Sequence, residues 1–291
     1  MNPLVSLIVP LYNAMPYFAD FLASVAGQTW HPLECVIADD GSADGSLEYL
    51  ESRLPMLAEA GIWVKILRLP HGGQAAAVNA ALKEVSGEYL TWCDADDIML
   101  PRCIEEKVRF LEEHPALGLV RSDGLVLDEN GEILRHSAKE EDRHTQWIFD
   151  GLLKQSAYCY AGCYMVRMSL FLTCYPDRTI PLSPEGQNLQ MLLPPASRTM
   201  CGFVPEVLHH YYLRPTGHSG QKRSYTETLR RTMNFIELCR EILRYCDCDT
   251  EYYEKVIDGV REKRLGQLKY SMLIRAKEEL KKSEGRDTHL S

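Results

Sequence analysis

The chain has 291 residues, 45% hydrophobic and 25% charged, an ordinary globular balance that excludes bulk disorder. Its formal net charge of −9 argues against nucleic acid as the main partner, because phosphate backbones are gripped by basic faces. Small anionic ligands stay open wherever a metal ion screens local carboxylates.

In chain order, the β-rich run 5–10 reads as a first strand rather than a signal peptide: it has neither a basic leader nor a small-residue cleavage site. Helical spacing follows over 17–27 through Phe18, Phe21, Leu22 and Val25. A short strand is predicted over 34–38, then a helix over 46–60 with Leu47, Leu50, Leu54 and Leu57 on one face. The alternation continues with a strand at 63–69, a helix at 74–85, a strand at 89–93, a helix at 102–113 and a strand at 119–127. Strands alternating with helices imply right-handed crossovers and a mainly parallel sheet with helices on both faces.

The stretch 128–220 is irregular and proline-rich, a pattern expected to cover a site rather than to build a sheet. From about 222 the chain turns helical, with Leu229, Met233, Ile236, Cys239 and Leu243 on one stripe. A second helix is predicted over 252–280 and a frayed polar end after Lys281. With no Gly/Pro-rich linker before it, this tail is expected to pack on the main domain. No run of about 18 apolar residues exists, so no transmembrane helix is expected. The ten cysteines form no CxxC pattern, which supports reduced thiols over a zinc site, and a cytoplasmic location is expected.

Three polar segments follow predicted strands, where ligands of open parallel sheets bind. Pro10-Leu11-Tyr12-Asn13 ends the first. Asp39-Asp40-Gly41-Ser42-Ala43-Asp44 ends the second; its carboxylates can hold a base or ribose, or Ser42 and Asp44 can cap the next helix. Asp94-Ala95-Asp96-Asp97 follows the fourth: it is either a divalent-cation site, since crowded carboxylates repel one another and Mg²⁺ or Mn²⁺ relieves this, or a loop before the Pro101 helix. His71-Gly72-Gly73-Gln74 precedes a helix and can cradle phosphate or simply turn. It is neither GxGxxG nor a P-loop, which counts against a dehydrogenase or a P-loop enzyme.

Taken together, the segments at 5–13, 24–29, 39–46, 71–79 and 87–97 resemble family 2 of the glycosyltransferases in order and spacing over roughly the first 115 residues. The resemblance implies the GT-A (Rossmann-like) fold, with a glycosyltransferase domain over 1–221 and a C-terminal helical region over 222–291. Within that domain 1–115 would be the nucleotide-sugar-binding half and 116–221 the acceptor half. It implies transfer of one sugar, with inversion, from a nucleotide-diphosphate-sugar, chiefly a UDP-sugar, to a hydroxyl of a saccharide or lipid-linked acceptor in polysaccharide or glycolipid synthesis. Donor-binding residues would be Pro10, Tyr12, Asn13, Asp39, Asp40, Gly73, Asn79, Asp94, Ala95 and Asp96. Asp94 and Asp96 match the DxD element and would hold Mn²⁺ or Mg²⁺, with His218 or Arg214 adding contacts from a loop.

The family's Glu-Asp pair falls on Glu185-Gly186, so Glu185 becomes the candidate base, with Asp177 as the alternative, and Gln187 and Asn188 candidates for the acceptor. Val78 stands where relatives often carry Arg. Peripheral contact with the inner face of a membrane and a homodimer are further partner expectations. The rival of a different class is a non-catalytic sugar-nucleotide-binding or scaffold protein, motivated by Gly186.

Overall fold

The computed structural model describes residues 2–214, 221 and 223–287, with side chains through 274. The expected alternation is present: β1 (Val5–Leu11), α1 (Phe18–Ala26), β2 (Leu33–Asp39), α2 (Ser46–Glu59), β3 (Ile62–Arg68), α3 (Gln74–Leu82), β4 (Tyr89–Trp92), the two-residue β5 (Ile98–Met99), α4 (Cys103–Glu113) and β6 (Leu119–Leu127). These are followed by β7 (Ile133–His136), α5 (Phe149–Leu153), β8 (Tyr164–Arg167), α6 (Met168–Cys174), α7 (Gln187–Ala196), β9 (Cys201–Tyr212), α8 (Tyr225–Leu243) and α9 (Thr250–Asp287).

The strands form one sheet in the order β3-β2-β1-β4-β8-β6-β9-β5, with β7 on β6. The first four strands are parallel, as the crossovers require. The second half departs from a mainly parallel sheet. There β8 runs antiparallel to both β4 and β6, β5 antiparallel to β9, and only β6 and β9 pair in parallel. The irregular middle stretch therefore contributes β7, β8 and β9 to the sheet as well as covering the site. Its strands escaped the pattern because β8 is only four residues long and β9 carries His209, His210 and Pro205, which break simple alternation. The tail also differs: α9 continues past Lys281 to Asp287.

Burial on both faces explains the apolar runs. On β1, Val5, Leu7, Val9 and Leu11 face one cluster with Phe18, Phe21 and Val25 of α1. Ile8 faces the other, with Val78, Trp92 and Phe171. Phe235, Ile236, Cys239 and Ile242 of α8 belong to that second cluster, so α8 shares the main core, as expected of a tail with no linker. Among the described residues no helix is long and apolar enough to cross a membrane.

The order 3-2-1-4 means that the chain reverses its direction of travel beside β1, and a crevice opens there outside the strand tips. The register sets Leu11 beside Asp39 and Ile8 beside Trp92, which brings all three polar segments to one edge.

Candidate active site

A cleft of about 1060 Å³ lies at these tips. It is lined by Pro10, Tyr12, Asn13, Asp40, Gly73, Asp94, Ala95 and Asp96 from the first half, and by Glu185, Gln187, Asn188 and Arg214 from the second. Most of the residues singled out in the sequence thus come together. Asp39, Asn79 and Asp177 do not line it, and His218 lies outside the described residues.

The turns after β1 and β2 brace each other. Asn13, at φ 48°, accepts the Ala43 N–H on Oδ1 at 2.8 Å, while its own N–H donates to Ser42 Oγ at 3.0 Å. Asp44 takes the Ser46 N–H at 3.0 Å and the Met15 N–H at 2.9 Å. Against an upward push from burial, the Ser46 hydroxyl, which donates at 2.6 Å, and then these N–H groups hold its carboxyl below the usual range. Ser42 and Asp44 therefore serve the turns themselves. Asp39 is buried and accepts the Ser42 N–H at 3.2 Å, which makes it part of this brace.

Asp40 has a different task. Its two oxygens accept the N–H groups of Gly72 and Gly73 at 2.7 and 2.9 Å, and His71 Nδ1 lies 2.9 Å away. The glycine N–H groups that could have cradled phosphate are consumed, so Gly73 meets the cleft without an open donor. Gly73 sits at φ 89°, and at Gly72 a Cβ would press on Ala76, so the glycines serve the loop's approach to Asp40. The loop in turn stacks His71 on Tyr12, rings 4.4 Å apart and 23° from parallel. Tyr12 is half exposed and offers a flat platform at the cleft mouth. Nothing in the sequence pairs Tyr12 with His71.

Asn79 is displaced from its expected donor role. Its Nδ2 donates to the Ile180 carbonyl at 2.9 Å and its Oδ1 accepts the Ile180 N–H at 2.8 Å, both buried. The amide clamps α3 to the segment leading into α7, and Asn79 does not line the cleft.

The acidic segment after β4 is unevenly placed. Asp94 Oδ1 accepts Gln74 Nε2 at 3.0 Å, and Asp96 Oδ2 pairs with Arg214 at 3.0 Å. Asp97 points inward: Oδ1 accepts the Tyr212 N–H at 3.1 Å, and Oδ2 has no hydrogen bond among the described residues and faces His209 Nε2 at 3.5 Å. Burial, and then the neighbouring Asp97 and Asp96 charges, push the Asp94 carboxyl well up; burial and Asp96 do the same to Asp97. His209 is driven the other way, to about 3, by burial and by Lys107.

The segment fits a hard divalent cation in one respect. Asp94 and Asp96 each keep an oxygen not engaged by a described residue, and they meet the cleft where a phosphate-bearing ligand has access. Among the described residues no three His, Cys, Asp or Glu side chains converge as a protein-only metal cage, so ligand oxygens would have to complete the shell. The cysteines are free thiols.

On the opposite wall, Glu185 is held by Arg231 of α8, with Nε–Oε1 at 2.7 Å and Nη2–Oε2 at 2.5 Å. Gly186 caps α7 at φ 65°, and a side chain there would meet Leu238 of α8 at 2.9 Å. Asn188 Oδ1 accepts Trp92 Nε1 at 2.9 Å, which ties α7 to β4, and Gln187 Nε2 has no partner among the described residues. Of the residues around the cleft, Arg231, Tyr17 and Phe235 were not singled out from the sequence, whereas Gln74 stood in the His71–Gln74 segment.

Comparison with known proteins adds the following. The family model for glycosyl transferase family 2 matches residues 6–173. The putative glycosyltransferase EpsE of Bacillus subtilis (strain 168) is 25% identical over 247 residues, covering 83% of this chain and 84% of that protein. Of two longer uncharacterized glycosyltransferases from Rickettsia felis and Rickettsia bellii, the chain spans only 22% and 23%. The crystal structure of S. aureus TarS 1–349 in complex with UDP-GlcNAc superposes with a TM-score of 0.62 at 20% identity, over 90% of this chain and 71% of that one. The mannosyltransferase PcManGT from Pyrobaculum calidifontis, in complex with GDP-Man and Mn²⁺, gives 0.56 at 17%, over 96% and 81%. The mixed sheet with flanking helices is the GT-A, Rossmann-like arrangement, and at these identities the likeness speaks for the fold alone.

Proposed function

The chain belongs to glycosyl transferase family 2, and from that premise we propose that it transfers one sugar from a nucleotide-diphosphate-sugar to an acceptor hydroxyl, with inversion at the anomeric carbon. The observation that carries this reading is the convergence of Tyr12, Asp94 and Asp96 from the strand tips with Glu185 and Asn188 from the second half in one cleft. A UDP-sugar is the first donor to try, because the TarS structure holds UDP-GlcNAc. In this reading 1–115 forms the donor half, 116–221 the acceptor half, and 222–291 a helical region whose α8 shapes the acceptor wall.

The Tyr12–His71 platform and Pro10 receive the base. Asp94 and Asp96 are the residues that would hold Mn²⁺ or Mg²⁺, whose positive charge would stabilise the leaving diphosphate. Gln187 and the free Nδ2 of Asn188 orient the acceptor. Glu185 takes the acceptor hydroxyl's proton as that oxygen bonds to the anomeric carbon and the bond to the diphosphate oxygen breaks. A saccharide or lipid-linked acceptor in surface polysaccharide or glycolipid synthesis fits single-sugar transfer.

One observation favours a second reading. Both Glu185 oxygens face Arg231, so a sugar-nucleotide-binding protein without transferase chemistry is the alternative. A panel of nucleotide-sugars with Mn²⁺, read as thermal stabilisation of wild type and Asp96→Ala, tests the donor site. No stabilisation by any donor, or no difference between the two proteins, sinks it. Glu185→Gln is expected to keep donor binding and lose acceptor-dependent release of nucleotide diphosphate. Full turnover in that variant removes Glu185 as the base.

A further inference from the structure

Arg214 follows the end of β9, and its surroundings are built around it. Its guanidinium carbon lies 3.7 Å from the centre of the Tyr17 ring and 4.7 Å from that of Tyr212, and the side chain is 7% exposed. Among the described residues the carboxylate it reaches is Asp96, at 3.0 Å, while the Tyr212 N–H on Asp97 Oδ1 fastens the same strand end to the same acidic segment. A guanidinium stays charged at any working pH, and between two ring faces it is stripped of water, so it is a fixed positive charge among three carboxylates.

We propose that Arg214 is an internal counter-ion that competes with a free divalent cation for Asp96 and moves onto the donor's phosphates when a nucleoside diphosphate enters. This rests on the metal reading above and goes beyond it. In the ligand-free site Asp96 is already neutralised, so a cation arriving alone must displace Arg214 or sit beside its charge. A diphosphate changes the balance, because a pair of its charged oxygens can accept from the guanidinium twice, where Asp96 takes one bond on Oδ2. Cation and nucleotide then bind as a pair, each raising the other's affinity by the same factor, as linkage demands. The aromatic clamp gives Arg214 a surface on which to pivot between the two partners. Tyr17 comes from the β1–α1 turn and Tyr212 from the end of β9, so the clamp joins the two halves of the chain at the cleft.

The test is a Mn²⁺ titration followed by electron paramagnetic resonance of the free ion, with and without UDP, on wild type, Arg214→Gln and Tyr17→Leu. Removing the guanidinium is expected to tighten binding of Mn²⁺ alone by about tenfold and to shrink the extra tightening that UDP brings by a similar factor, within the usual range of such couplings. Tyr17→Leu, at a partly exposed turn position, is expected to shift both quantities the same way by a smaller amount. Equal affinity of wild type and Arg214→Gln for Mn²⁺ alone, or an unchanged UDP effect, overturns the proposal while leaving the metal site standing. If Arg214→Gln does not fold, unaltered Mn²⁺ binding in Tyr17→Leu overturns it. Failure of all three folded proteins to bind Mn²⁺ even with UDP removes the metal reading itself, and this one with it.

Discussion

Asn79→Ala separates a structural clamp from a donor contact. In the folded chain the Asn79 carboxamide satisfies both the N–H and the C=O of Ile180, at 2.8 and 2.9 Å, in a place where Asn79 is 8% and Ile180 1% exposed. Truncation leaves two buried backbone groups without partners. At roughly 1–3 kcal/mol for each such orphan, and with some relief from relaxation, the loss comes to about 3 kcal/mol. Against a typical total of about 5–15 kcal/mol that is a large fraction. Urea unfolding followed by tryptophan fluorescence should show a lower midpoint at unchanged slope, the signature of a pure stability loss. Titration with UDP under native conditions should give nearly wild-type affinity, since neither amide end reaches the cleft. The reasoning is refuted if the variant loses less than about 1 kcal/mol of stability while its UDP affinity collapses, because the amide would then be serving the ligand.

Gly186→Ala is expected to lower stability by about 1–2 kcal/mol, from a left-handed backbone that non-glycine residues resist and a Cβ pressed on Leu238. Gly186→Asp, the residue that the family resemblance leads one to expect here, should therefore unfold earlier without faster turnover, and a gain in rate would show that α8 yields at this point. His209 makes stability depend on pH. Its folded value is about 3 against about 6.5 in the unfolded chain, so in this window only the unfolded state carries the proton. Stability is then full above about pH 6.5 and falls toward about pH 3, by up to about 1.4 kcal/mol per pH unit. Asp94 and Asp97, raised by burial, act in the opposite sense, because there the native state holds the extra proton. His209→Gln removes the first effect alone, so the wild type's stability relative to the variant should drop between about pH 7 and about pH 5. A constant difference in urea midpoints across that range would count against a buried neutral imidazole.

Local pattern made the first half of the fold legible. Alternating apolar strands, helices with one buried stripe, and polar residues at strand ends each repeat over a few residues, and β1 to β4 and α4 follow within a residue or a few at each end, while the two-residue β5 carried no signal. The antiparallel half was hidden because β8 and β9 pair with distant strands, and their short or histidine-bearing runs carry no periodic signal of their own. The same contrast governs the site. By itself the sequence determined which residue types stand at the strand tips: the Tyr12 turn, the Asp40 turn and the Asp94–Asp97 cluster. Only the tertiary structure decided what each polar group is spent on. Asp40 consumes the Gly72 and Gly73 donors, Ile180 occupies Asn79, Arg231 grips Glu185, and Arg214 answers Asp96 from 118 residues away. A hydrogen bond is fixed by separations of about 3 Å, and such separations between distant segments arise only once the sheet has brought its edges together.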